Sequence, residues 1–198
     1  MALLYLWPIA YLARRTDGAA RALERGAGAA EGLSRRIGYA AAWLTLALVG
    51  LQFVVVLLRY VFGIGSIALQ ESVLYLHASL FLLAGAYTLL VDGHVRVDMF
   101  YRTAKPKARA MVDFAGAYLF LLPFMLTAFV MSYPYVASSW AVHEGSRETS
   151  GIQGVYLLKT LILIFAAMML IQGFALASRA ALRLTGRADE GEHHGATI

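Results

Sequence analysis

Val155–Ala177 reads VYLLKTLILIFAAMMLIQGFALA, a run in which Lys159 is the only formal charge. A helix rises 1.5 Å per residue, so about 20 such residues cross the ~30 Å hydrocarbon layer of a bilayer. Three more windows of this kind lie upstream, at Ile37–Leu58, Val73–Val91 and Met111–Tyr133. Hydrophobic residues make up 60% of the chain and charged ones 15%, which sets it apart from soluble domains. The fold class that follows is all-α: a polytopic membrane protein with four transmembrane helices and interfacial helical segments. Residues 37–186 form the four-helix domain, 1–36 an N-terminal extension, and 187–198 a flexible tail.

The net charge of +5 invites a nucleic-acid reading, but the placement of the cations argues for membrane topology instead. Fourteen Lys and Arg fall in the N-terminal segment, the second loop and the C-terminal segment, against three (Arg59, Arg147, Lys159) on the other side. Basic residues accumulate in cytoplasmic segments, so both termini and the second loop are expected in the cytoplasm, next to anionic lipid headgroups. Nucleic acid is not an expected partner. The chain has no cysteine, which excludes disulfides and thiolate metal sites.

Outside the four windows the chain is uneven. Leu3–Leu12 is apolar but too short to span, and Arg14 and Arg15 follow rather than precede it, unlike a signal peptide. With Tyr5, Trp7 and Tyr11 it suits a short interfacial anchor. Glycines at 26, 28 and 32 are expected to weaken any helix over residues 16–36. Gly63-Ile64-Gly65-Ser66-Ile67-Ala68 imitates a dinucleotide-binding glycine pattern. That motif needs a strand before it, and a membrane span stands there, so a turn between helices is the better reading. Pro106 is expected in the first turn of the third helix, Asp98 at the cap of a short surface helix, and Pro123 at a bend in mid-span.

Charged residues concentrate at the ends of the spans. Arg59 closes the first. Glu71 opens the second and shares a stripe with Ala78 and Gly85 at seven-residue spacing, suited to close helix approach. Glu71 is open to two readings, an interfacial charge or a specific polar contact with Arg59 as the nearest candidate. Between the second and third spans stands Gly93-His94-Val95-Arg96-Val97-Asp98. Its alternation puts His94, Arg96 and Asp98 on one side of an extended segment, where they can brace the turn between helices. Lys159 lies early in the fourth span and can snorkel outward along its stem.

No catalytic constellation is present in the sequence. A bis-histidine haem needs two histidines at similar depth, and His77 is the only one within a span. The glycine, histidine–glutamate and serine motifs of phosphate, zinc and acyl-transfer sites are missing. Neither a metal nor a cofactor is expected, and His193-His194 is read as incidental. The middles of the spans are apolar apart from His77 and Pro123, the pattern of a protein that packs against another.

Arg59-Tyr60, Glu71, Gly85 and the run Gly93–Asp98 resemble the small membrane subunit, the dicarboxylate-type small permease, of tripartite ATP-independent periplasmic (TRAP) transporters. Trp140, Glu144, Ser146, Gly154–Lys159 and Leu170–Gly173 are similar to the branch labelled for mannitol or chloroaromatic compounds. The likeness runs from about residue 37 to 183. It implies a multi-pass protein of the bacterial inner membrane, with a large membrane subunit and a periplasmic solute-binding protein as partners. Uptake of an organic acid by ion symport through the large subunit, with this chain as its rigid scaffold, is the implied function. Arg59, Glu71, His94, Arg96, Asp98 and Lys159 become candidates for structural or subunit contacts. Two other readings use the same residues: the membrane anchor of a redox complex, and an independent four-helix transporter coupled through Glu71.

Overall fold

The computed structural model describes residues 17–94, 101 and 103–186. The expected anchor at 3–12, the tail from 187, Arg96 and Asp98 lie outside the described residues. Helix α1 runs Asp17–Tyr60 and α2 Ile67–Leu90; α3 (Pro106–Ala115), a π-helical turn (Gly116–Leu121) and α4 (Leu122–Ala141) follow end to end; α5 is Val155–Leu184. Four helical stretches are long and apolar enough to cross a membrane: α1, α2, Pro106–Ala141 and α5. These contain the four apolar windows almost entirely, and the all-helical membrane fold stands.

The first helix departs from expectation. It is 44 residues long and continues back through Gly26, Gly28 and Gly32 to Asp17, where the local sequence disfavours helix. Packing overrides propensity here. Ala27 and Ala30 lie buried against Ala175 of α5, and Ala20 and Leu23 against Leu182. Small side chains let the two backbones approach closely, the arrangement that gains most contact where lipid offers no hydrophobic drive. Asp17 in the first turn and Arg59 in the last both complement the helix dipole.

Helix α5 is the post around which the others stand. Its Met168 and Met169 meet Ala86 of α2 and Met125 of α4, with Ile37, Leu83, Leu121 and Phe165 packed around them. Two glycines mark where backbones come closest. A Cβ on Gly38 would lie 2.2 Å from Cγ of Tyr87, and one on Gly85 would lie 2.7 Å from the Phe165 ring. Gly85, on the small-residue stripe of the second span, thus takes the role foreseen for it, against α5.

Helix ends are closed by backbone geometry. At the end of α2, Asp92 adopts φ 61° while the Gly93 amide reaches Thr88 O and the Asp92 amide Leu89 O. At the end of α4, His143 adopts φ 45° with Glu144 N bonded to Ser139 O and His143 N to Trp140 O. Both are Schellman closures with a non-glycine residue at the left-handed position. Pro106 is at the start of α3, as expected. Around Pro123 the observed feature is the π-helical turn immediately before it, in which the Leu122 amide bonds to Ala117 O. Proline has no N–H and crowds the carbonyl four residues back, so a widened turn relieves both problems.

Candidate functional site

Polar side chains gather at the two ends of the bundle. At one end, residues 142–154 fold into a cap held by α2 and α5. Glu71, in the second turn of α2, accepts hydrogen bonds from the Ser146 hydroxyl and, at 2.6 Å, from the Ile152 amide. The cap's own backbone closes on itself, with Ser146 N bonded to Ile152 O and Gly151 N to Glu148 O. A side chain at Gly151 would meet Ser146 and come within 2.7 Å of Glu71 Oε1, so glycine is what lets the loop seat on the carboxylate.

The α5 side of the cap is an ion pair. Lys159 Nζ lies 2.5 Å from Glu144 Oε2 and 4.1 Å from the centroid of the Tyr135 ring, so it touches α4 as well. Trp140 Nε1 donates to Thr160 Oγ1 at 2.9 Å, and the Trp140 and Tyr156 rings meet edge-on at 4.7 Å. Four elements converge: α2 through Glu71, α4 through Tyr135 and Trp140, α5 through Lys159 and Thr160, and the cap. The Lys159 hydrogen bond, foremost among the causes, holds the Glu144 carboxyl below the usual carboxylate range.

That direction sets a pH dependence. A carboxylate whose folded pKa is depressed stabilises the cap above the carboxylate range and ceases to do so as pH falls through its folded value. Amide hydrogen exchange over 142–154 in detergent is therefore expected to quicken on acidification to about pH 3, beyond the chemical effect of pH on exchange. Glu144→Gln should remove its share of that acid response. An unchanged acid response in the variant would show that the pair does not hold the cap.

The sequence candidates divide as follows. Glu71 and Lys159 are brought to the same cap from opposite sides. Arg59 is exposed at the end of α1, beside a shallow recess with Ile64, Gly65, Ser66, Leu69 and Gln70. It does not pair with Glu71, whose carboxylate accepts from Ser146 and Ile152 instead. His94 is exposed at the opposite end, without a side-chain hydrogen bond among the described residues. Its two companions, Arg96 and Asp98, lie outside them.

That opposite end has contacts which sequence reasoning missed. Ser34 Oγ donates to Gln172 Oε1 at 2.7 Å, both residues buried. Arg179 forks onto Glu31 through two bonds of 2.9 and 3.0 Å. Tyr101 donates to the Asp113 carboxylate, and Arg109 lies 5.7 Å from the centroid of the Tyr101 ring. Gln172, a polar residue deep in an apolar run, and Asp113, a charge early in the third span, gave local signals; the partner of Gln172 stands 138 positions away. No group of acidic or histidine residues able to hold a metal occurs among the described residues. The shared chemistry of both ends is hydrogen bonding that fixes helix against helix.

The family model described as "Tripartite ATP-independent periplasmic transporters, DctQ component" matches residues 48–185. No curated protein and no solved structure matches the chain.

Proposed function

Because the chain belongs to the DctQ-component family of tripartite ATP-independent periplasmic transporters, we propose that it braces the large transport subunit of such a system while contributing no substrate ligand. The family makes it a small subunit of a transporter and a multi-pass membrane protein. The finer reading is an organic-acid importer of the bacterial inner membrane, driven by an ion gradient and fed by a periplasmic solute-binding protein. The carrying observation is where polarity sits: both clusters of polar contacts tie helices together at the bundle ends. A subunit that bound substrate near the midplane would place charges or broken helices there. The basic residues support an orientation with both termini and the 91–105 segment in the cytoplasm, and the 142–154 cap in the periplasm. In that orientation the Gly93–Asp98 segment braces the cytoplasmic end.

Proteoliposomes provide the test. The large subunit, the solute-binding protein and an imposed ion gradient are expected to give no organic-acid uptake without this chain, and to recover it when the chain is co-reconstituted. Full uptake in its absence would overturn the bracing role.

A further inference from the structure

One polar side chain has no place in either end cluster. His77 stands ten residues after Ile67 in the 24-residue helix α2, about 15 Å along it and so near mid-membrane. It is exposed. Its ring rests on Phe81 at 4.6 Å between centroids, with no hydrogen bond or ion pair among the described residues. Neutral imidazole keeps one N–H donor and one ring-nitrogen acceptor, and the Phe81 ring leaves the acceptor unmet. Hydrocarbon satisfies neither group, and ionisable side chains at this depth almost always face protein.

The rest of that face is continuous. Gln70, Leu74, His77 and Phe81 follow at steps of four, three and four residues, one side of a helix, and all four are exposed. It is turned about 150° away from Ala86, which packs in the core, while Gly85, packed on Phe165 of α5, flanks one edge of it. A lipid-facing surface gains nothing from His77, whereas a protein-facing one gains an interhelical hydrogen bond bordered by Leu74 and Phe81.

We infer that the Gln70–Leu74–His77–Phe81 face of α2 docks a transmembrane helix of the large membrane subunit, which presents a hydrogen-bonding group to His77 near the bilayer midplane. This rests on the reading of the chain as that subunit's partner. Hydrogen-bond complementarity demands a membrane-embedded protein as occupant, and membership in a family that is one component of a tripartite transporter makes it the other membrane component.

The experiment uses the full complex, with both membrane subunits co-expressed and this chain tagged. The chain has no cysteine of its own, so single cysteines replacing Leu74 or Phe81 can be cross-linked cleanly with a bifunctional maleimide to a cysteine series along the large subunit. Both positions are expected to give adducts with that subunit. His77→Leu should lower recovery of the large subunit in detergent by roughly three- to thirtyfold, the range of one interhelical hydrogen bond in lipid. His77→Asn should restore most of it, and the level of this chain should not change. Undiminished recovery for His77→Leu, absence of both adducts, or adducts with a second copy of this chain would each overturn the assignment. If the unmutated chain recovers no large subunit at all, the functional reading fails. If it does and the variants behave like it, only the choice of face fails.

Discussion

Gly38→Ala is expected to push α1 away from α2 and to lower the stability of the protein in detergent by about 1–3 kcal/mol, with a larger loss for Gly38→Leu. The methyl group would stand 2.2 Å from Cγ and 2.6 Å from Cβ of Tyr87. A χ1 change can move Cγ but not Cβ, which is fixed to the backbone, so no rotamer clears the contact and one backbone must move. The displacement strikes the α1–α2 pair where Ile37, next to Gly38, joins Leu83, Ala86 and Leu89 of α2 in the core cluster. Tyr39 touches the Tyr87 ring at 5.9 Å, and most of the apolar part of α1 beyond this level is open. Thermal unfolding of purified protein, followed by circular dichroism, measures the loss. The double variant Gly38→Ala with Tyr87→Ala should recover part of it, since removing the ring opens the space. Wild-type stability in Gly38→Ala would mean that the two helices do not meet at this point.

Gln172→Ala is expected to cost about 2–4 kcal/mol. Gln172 and Ser34 are 3% and 2% exposed, and the 2.7 Å bond between them joins α5 to α1. Removing the amide takes away the acceptor of a buried hydroxyl, worth about 1–3 kcal/mol, and empties side-chain volume in a packed interface, which adds to the loss. Ser34→Ala alone should cost less, and the two changes together less than their sum, with a coupling of about 1 kcal/mol. Chemical denaturation in mixed micelles provides all three values. Strict additivity would mean that the serine has turned to a carbonyl of its own helix and the bond carries no energy.

The parts of this fold that were legible in the sequence are those set by a long-range average. A span is twenty apolar residues whatever their order, so four windows gave four membrane-crossing helices. The parts that were not legible depend on single partners far away in the chain. Residues 17–36 look weakly helical, and only Ala175, Leu182 and Arg179 explain why they continue α1. Glu71 was recognisable as a charge in an unusual place. Nearness in sequence pointed to Arg59, whereas its partner Ser146 is 75 positions away, on a loop whose glycines permit the contact. Lys159 was readable as a side chain reaching for the membrane edge, and the structure adds Glu144, fifteen residues before it, as its counter-charge.

The π-helical turn has a consequence for the numbering of the third span. Ala110, Ala117, Met125 and Val136 are the buried positions of one stripe there, with Tyr118 and Ser139 buried beside it. The first step is seven residues and the last eleven, each nearly whole helical turns at 100° per residue. The middle step is eight, which in an unbroken α-helix would swing Met125 some 80° off the stripe and put Phe124, 67% exposed, in its place. The widened turn absorbs one residue and brings the two halves back into phase. The span therefore carries a spare residue between Gly116 and Leu121. Losing one there keeps the inward stripe aligned, whereas losing one anywhere in α4 rotates what lies beyond it by a quarter turn or more.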